Sequence, residues 1–100
     1  LDPLNAAAWI LATHPDAQVR SPERAVRLAE RAARLCWRKD ASVLDTLAAA
    51  YASAGTFEPA VATAQEALDL AEAMQNRALV NDIRAHLMQY QNHQAVIAAE

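Results

Sequence analysis

ASVLDTLAAAYASAGTFEPAVATAQEALDLAEAM, residues 41–74, is the stretch that decides the fold. It reads as two helices with a break between them. The first runs over about 42–54 and ends at Gly55, since glycine just past a helix is the usual left-handed terminator. Thr56 then caps a second helix over about 57–73, with Pro59 in its first turn, where proline is tolerated. A polar break at 74–76 follows.

Working outward, residues 24–35 (RAVRLAERAARL) lie over 59–70 (PAVATAQEALDL) at an offset of 35 residues. The shared positions are Ala25/Ala60, Val26/Val61, Ala29/Ala64, Ala32/Ala67 and Leu35/Leu70. Alanines three or four apart form one small-residue stripe per helix, and a stripe of methyl groups lets a partner helix approach closely. The helix over about 22–37 opens on Ser21-Pro22-Glu23: Ser21 at the N-cap, proline at the first helical position, an acid at the positive end of the dipole. It stops at 39–42, with Asp40 or Ser42 capping the next helix. A first helix spans about 5–13 and is followed by a loop over 14–21 holding Pro15 and Asp16. A fifth helix covers about 77–91, with Leu79, Ile83, Leu87 and Tyr90 on one face. Five helices joined by turns predict an antiparallel helical stack.

Composition agrees. The apolar fraction is 54%, much of it alanine, with five aromatics and a single glycine. Alternating β-type runs are missing, so a sheet is not expected. Cys36 is the only cysteine and permits no internal disulfide. No apolar run is long enough to span a membrane, and no charged-then-apolar leader opens the chain; the compartment is left open, with the cytoplasm slightly favoured. The net charge of −3 hides an asymmetry. Residues 20–39 hold seven basic side chains against two acids, and the remainder holds Arg77 and Arg84 against ten acids.

The order Leu44, Leu47, Ala48, Tyr51, Gly55, Phe57, Ala60, Val61, Ala64, Ala67, Leu68 and Leu70 resembles a tetratricopeptide repeat from end to end. Leu44 stands in place of the preferred tryptophan, and Glu72 where a closing proline is common. The resemblance implies an all-α fold of antiparallel helix-turn-helix repeats in a right-handed superhelix: two repeats plus a capping helix. One domain would then fill 1–100. Repeat 1 covers about 1–40, with the inter-helix loop 14–21 longer than the family's tight turn. Repeat 2 covers 41–74, the capping helix 77–91 and a tail 92–100. Leu4, Ala7, Ala8 and Leu11 carry the looser match of the first repeat. The chain is similar to the last repeat pair of long bacterial proteins of this kind, with Leu1-Asp2-Pro3 as the end of a preceding repeat. Arg77, Asp82, Arg84, Gln89 and Gln91 give the fifth helix the polar outer face that a cap needs.

The function that the resemblance implies is a scaffold that binds a protein or peptide on its concave face. Carried over residue by residue, that face is Asn5, Trp9, Thr13, Asp45, Ala49 and Ser53, bordered by Leu79, Ile83 and His86. Trp9 is either the aromatic anchor of the groove or a core residue under the 14–21 loop. The Lys/Asn clamp that some family members use for a C-terminal carboxylate is absent: Asp45 and Ala49 hold those positions. Asp2 and Asp45 make the face acidic, which suits a basic or apolar segment.

A second surface is the stripe Arg20, Arg24, Arg27, Arg31, Arg34 and Arg38, which falls within about 80° of helical arc. It is either a solvated face, with Arg27 and Arg34 pairing locally to Glu30, or a face for an anionic partner. Helix 4 carries Glu58, Gln65, Glu66, Asp69 and Glu72 on the matching side, so neighbouring helices or second copies could pair there, though surface pairs are individually weak. Nucleic acid is not expected, because the domain is acidic overall and no aromatics interleave the arginines. His14, His86 and His93 form no metal set, and Asp82 with His86 makes only half a site. No cofactor is implied. No acid–base pair, phosphate loop or nucleophile elbow suggests an enzyme. Cys36, beside Trp37, is expected to pack at the end of helix 2. Residues 95–98 (AVIA) either lie disordered or extend helix 5 and dock on a neighbour. The alternative function is a self-assembling structural element, joined through the charged faces or this tail.

Overall fold

The computed structural model describes residues 3–98. Leu1 and Asp2 lie outside them, as do residues 99–100. The chain is all-α among the described residues: α1 (Pro3–Thr13), α2 (Pro22–Leu35), α3 (Ala41–Ser53), α4 (Phe57–Ala73) and α5 (Arg77–Gln91). The expected bounds of α4 and α5 hold. Helix α1 begins two residues earlier than expected, at Pro3, a residue whose missing N–H costs nothing in a first turn.

The starts of the helices differ in chemistry. Asp40 caps α3: its carboxylate accepts from Ser42 N at 2.9 Å and Val43 N at 3.3 Å, so Ser42 is not the cap. Asn76 accepts from Leu79 N at 3.2 Å at the head of α5. Ser21 and Thr56 occupy N-cap positions without a side-chain cap bond. The Thr56 hydroxyl donates instead to the Tyr51 carbonyl, at 2.8 Å.

The ends of α2, α3, α4 and α5 share one device. After each, a residue at positive φ turns the chain, and two amides return to the last carbonyls, the two-bond Schellman arrangement. At α3 that residue is Gly55 (φ 82), with Gly55 N on Ala52 O at 3.0 Å and Thr56 N on Tyr51 O at 2.9 Å. At α2, α4 and α5 the same place is held by Trp37 (φ 57), Gln75 (φ 58) and His93 (φ 57). Helix α2 therefore stops at Leu35 and not at Trp37: Arg38 N reaches back to Ala33 O at 2.8 Å, and Arg38 is itself left-handed (φ 54). A side chain at such a position costs roughly 1–2 kcal/mol. Gln75 is exposed, so Gln75→Gly is expected to raise stability by about 1 kcal/mol in urea unfolding, the relieved strain exceeding the added freedom of the unfolded chain.

The end of α1 is closed differently. Ser21 N donates to Leu11 O at 2.7 Å, and Ala98 N donates to Thr13 O at 2.8 Å. The 14–21 loop is ordered by Asp16, whose carbonyl takes Val19 N and Arg20 N and whose carboxylate takes Gln18 N at 2.9 Å. Val96 is buried and Ala95 packs against the core, so this segment neither continues α5 nor lies free.

Helix α3 is the hub. It packs against all four other helices, while α1 also packs on α2 and α4 on α5. Thus α1, α3 and α5 lie side by side, with α2 and α4 behind them. Leu44, Leu47 and five alanines of α3 sit in the core. The small-residue stripes do what their spacing implies: Ala25, Ala29, Ala32, Ala60, Ala64 and Ala67 have no exposed surface, so α2 and α4 approach their neighbours closely. The other paired positions are less equal. Val26, Val61 and Leu70 are half-buried, and Leu35 is 65% exposed.

Candidate functional site

Three helices each contribute a few side chains to one cavity of about 500 Å³. From α1 come Asn5, Ala6 and Trp9; from α3, Ser42, Asp45 and Thr46; from α5, Leu79, Asp82 and His86. The helical periods explain the grouping, because residues three or four apart share a face. Asn5 and Trp9, Ser42 with Asp45 and Thr46, and Asp82 with His86 each lie one turn apart.

The centre of the cavity is a pair contributed by α3 and α5. His86 Nδ1 lies 2.9 Å from Asp45 Oδ1. Asp45 is almost buried, at 8% exposure, and His86 is about a fifth exposed at 20% of its side chain. The imidazole pKa is raised above its ordinary 6.5: the hydrogen bond to Asp45 favours the charged ring, burial opposes it, and the Asp45 and Asp82 charges add to the rise. The Trp9 ring stands against that of His86, centroids 5.7 Å apart and tilted 41°. Asn5 Oδ1 is enclosed without a hydrogen-bond partner. On the buried side of α5, Tyr90 has no exposed surface and its hydroxyl is likewise unpartnered.

Of the residues anticipated for the concave face, Asn5, Trp9, Asp45 and His86 meet in this cavity, with Leu79 at its border. Trp9 is not one of the two alternatives alone: it lines the cavity and also packs against the core. Thr13, Ala49 and Ile83 are buried and present no surface. The Thr13 hydroxyl donates to Trp9 O at 2.7 Å, which turns it into the helix. Ser53 is half-buried and stands outside the cavity. Asp82, assigned from the sequence to the polar outer face, is exposed and also borders the cavity. Its i, i+4 relation to His86 was the available signal.

The arginine stripe is solvated at Arg24, Arg27, Arg31 and Arg34. Glu30 does not pair with Arg27 or Arg34; it accepts the Tyr51 hydroxyl at 2.9 Å. Arg38 binds Glu66 of α4 at 2.9 Å, one exposed link between the basic and acidic helices. Arg20 is drawn into the loop, donating to the His14 carbonyl at 3.0 Å. Cys36 is half-buried, its thiol 3.4 Å from Ala33 O, whereas Trp37 is 82% exposed and does not pack.

Among the described residues no group of three or more His, Cys, Asp or Glu side chains could hold a metal ion, and no helix is long and apolar enough to cross a membrane. No protein-family model matches the chain, and searches of curated proteins and of solved structures find no match. Among the described residues, fold and site together define an all-α arrangement of five helices with an acidic, aromatic-walled cavity on the α1–α3–α5 face.

Proposed function

We propose that this chain is a protein- or peptide-binding scaffold module of the tetratricopeptide-repeat kind, engaging its partner on the α1–α3–α5 face. The observation that carries the reading is the convergence of Asn5, Trp9, Asp45 and His86, from three helices, on one cavity. Trp9 is a rigid aromatic with one part in the core and one part open, the usual character of an anchor. The cavity binds by shape and charge, and its carboxylates favour a basic or apolar segment over an acidic one.

The test is selection of peptides from a displayed random library, followed by affinity measurements on variants. Trp9→Ala is expected to weaken selected peptides by about thirtyfold, the effect of losing a hot-spot residue of about 2 kcal/mol. Arg31→Glu with Arg34→Glu, on the solvated face, is expected to leave them unchanged. Equal binding by Trp9→Ala, with its thermal melt intact, would exclude the cavity as the site.

The self-assembly alternative has less to stand on. The 95–98 segment is folded onto its own chain, and Glu66 is paired within the molecule.

A further inference from the structure

We propose that the α1–α3–α5 cavity receives the guanidinium of an arginine side chain from the partner, and that this group takes Asp45 from His86. The inference rests on the scaffold reading and names the group that the cavity recognises.

Four features of the cavity converge on that ligand. Asp45 and Asp82 bring carboxylates from two different helices. Among the described residues lining it, His86 is the only one able to carry a positive charge. Trp9 supplies an aromatic wall, the surface on which a guanidinium stacks best. The cavity, at about 500 Å³, has room for a guanidinium and the end of its stem. A guanidinium presents five N–H donors in one plane and carries a fixed charge, so it can pair with more than one carboxylate. An ammonium has fewer donors and stacks less well, which places lysine second.

The His86–Asp45 contact makes this an exchange. While the imidazole is protonated, Asp45 already has a cation 2.9 Å away. Once the proton leaves, the carboxylates are uncompensated and an incoming cation gains. Protons and arginine therefore compete, and affinity rises with pH as His86 deprotonates. Because Asp45 holds the imidazolium, that rise is shifted upward from the ordinary imidazole value of 6.5. The charged groups facing His86 are Asp45 from α3 and Asp82 from its own helix; the described residues of α1 carry no titratable side chain. On the side of α5 toward α4, Arg84 lies 3.6 Å from Glu72. Tyr90 feels the Asp45 charge and stays protonated to high pH.

The experiment titrates N-acetyl-arginine N-methylamide, and its neutral isostere built on citrulline, into isotopically labelled protein. The Trp9 indole N–H and the His86 ring are followed by NMR at pH 5.5 and pH 8. Arginine is expected to give saturable shifts at both groups, with citrulline about tenfold weaker, as loss of charge-assisted hydrogen bonds implies. Arginine should also bind several-fold more weakly at pH 5.5. Asp82 is exposed, so Asp82→Asn should keep its thermal melt and lose at least threefold in arginine affinity. Equal binding of citrulline, or arginine shifts confined to residues away from Trp9 and His86, overturns the proposal. Peptides from the displayed library that bind at Trp9 without a basic residue overturn it too, and leave the scaffold reading standing. Arginine binding with no library peptide recovered sinks the scaffold reading instead.

Discussion

Leu47→Ala is expected to remove about 2–5 kcal/mol of stability, read as a lower urea midpoint with an unchanged slope. Leu47 has no exposed surface and sits in α3, which every other helix contacts. Its neighbours in the core include many alanines, whose side chains have no rotamers with which to fill the space. The lost transfer energy and the residual void therefore add. Domains of this size are stable by only about 5–15 kcal/mol, so the variant should be partly unfolded at 37 °C. Leu35→Ala provides the contrast. Leu35 is 65% exposed although it belongs to the repeated pattern, and the change should fall within about 0.5 kcal/mol. Equal losses from both would mean that α3 is not the hub.

Tyr90→Phe is expected to act in the opposite direction, stabilising by about 1–3 kcal/mol, the cost of holding a buried hydroxyl without a partner. The ring stays in place and the unpaired oxygen goes. The variant also has a pH signature. Burial raises the Tyr90 pKa above its ordinary 10.0, and the Asp45 charge raises it further. The unfolded chain therefore ionises first. Stability from this group is intact below pH 10 and is lost as pH climbs past it. Tyr90→Phe should flatten the alkaline limb of the stability curve, leaving the smaller loss due to Tyr51, whose pKa is raised by burial and by Glu30. A destabilised variant would show that the hydroxyl has a partner in solution.

Much of the architecture was legible because helices advertise themselves locally. Gly55 marked the end of α3, and the alanine stripes marked the buried sides of α2 and α4. What escaped was set by contacts between elements. The end of α2 was misplaced because Trp37, not glycine, takes the left-handed position there, and hydrogen bonds from two amides hold it. Asp82 is exposed as expected, but its place beside the cavity escaped, because helical spacing gives a face and not its rotation against a neighbour. Thr13, Ala49 and Ile83 came from a family pattern and lie too deep to meet a partner. The Asp45–His86 pair joins residues 41 apart in sequence, and only the packing of α5 beside α3 brings them together. Asp45, Trp9 and Asn5 nonetheless line one cavity, since each lies on a predictable face of a predictable helix.

The bond from Ala98 N to Thr13 O has a bearing on how this molecule comes apart. In an open stack of repeats each unit leans only on its neighbours, and the ends loosen one at a time. Here the segment after α5 holds the last carbonyl of α1, and Val96 is buried as it runs there. The first helix cannot peel away without releasing that strap, nor can the strap lift without exposing the first helix. Local opening at one end is thereby made a cost at the other.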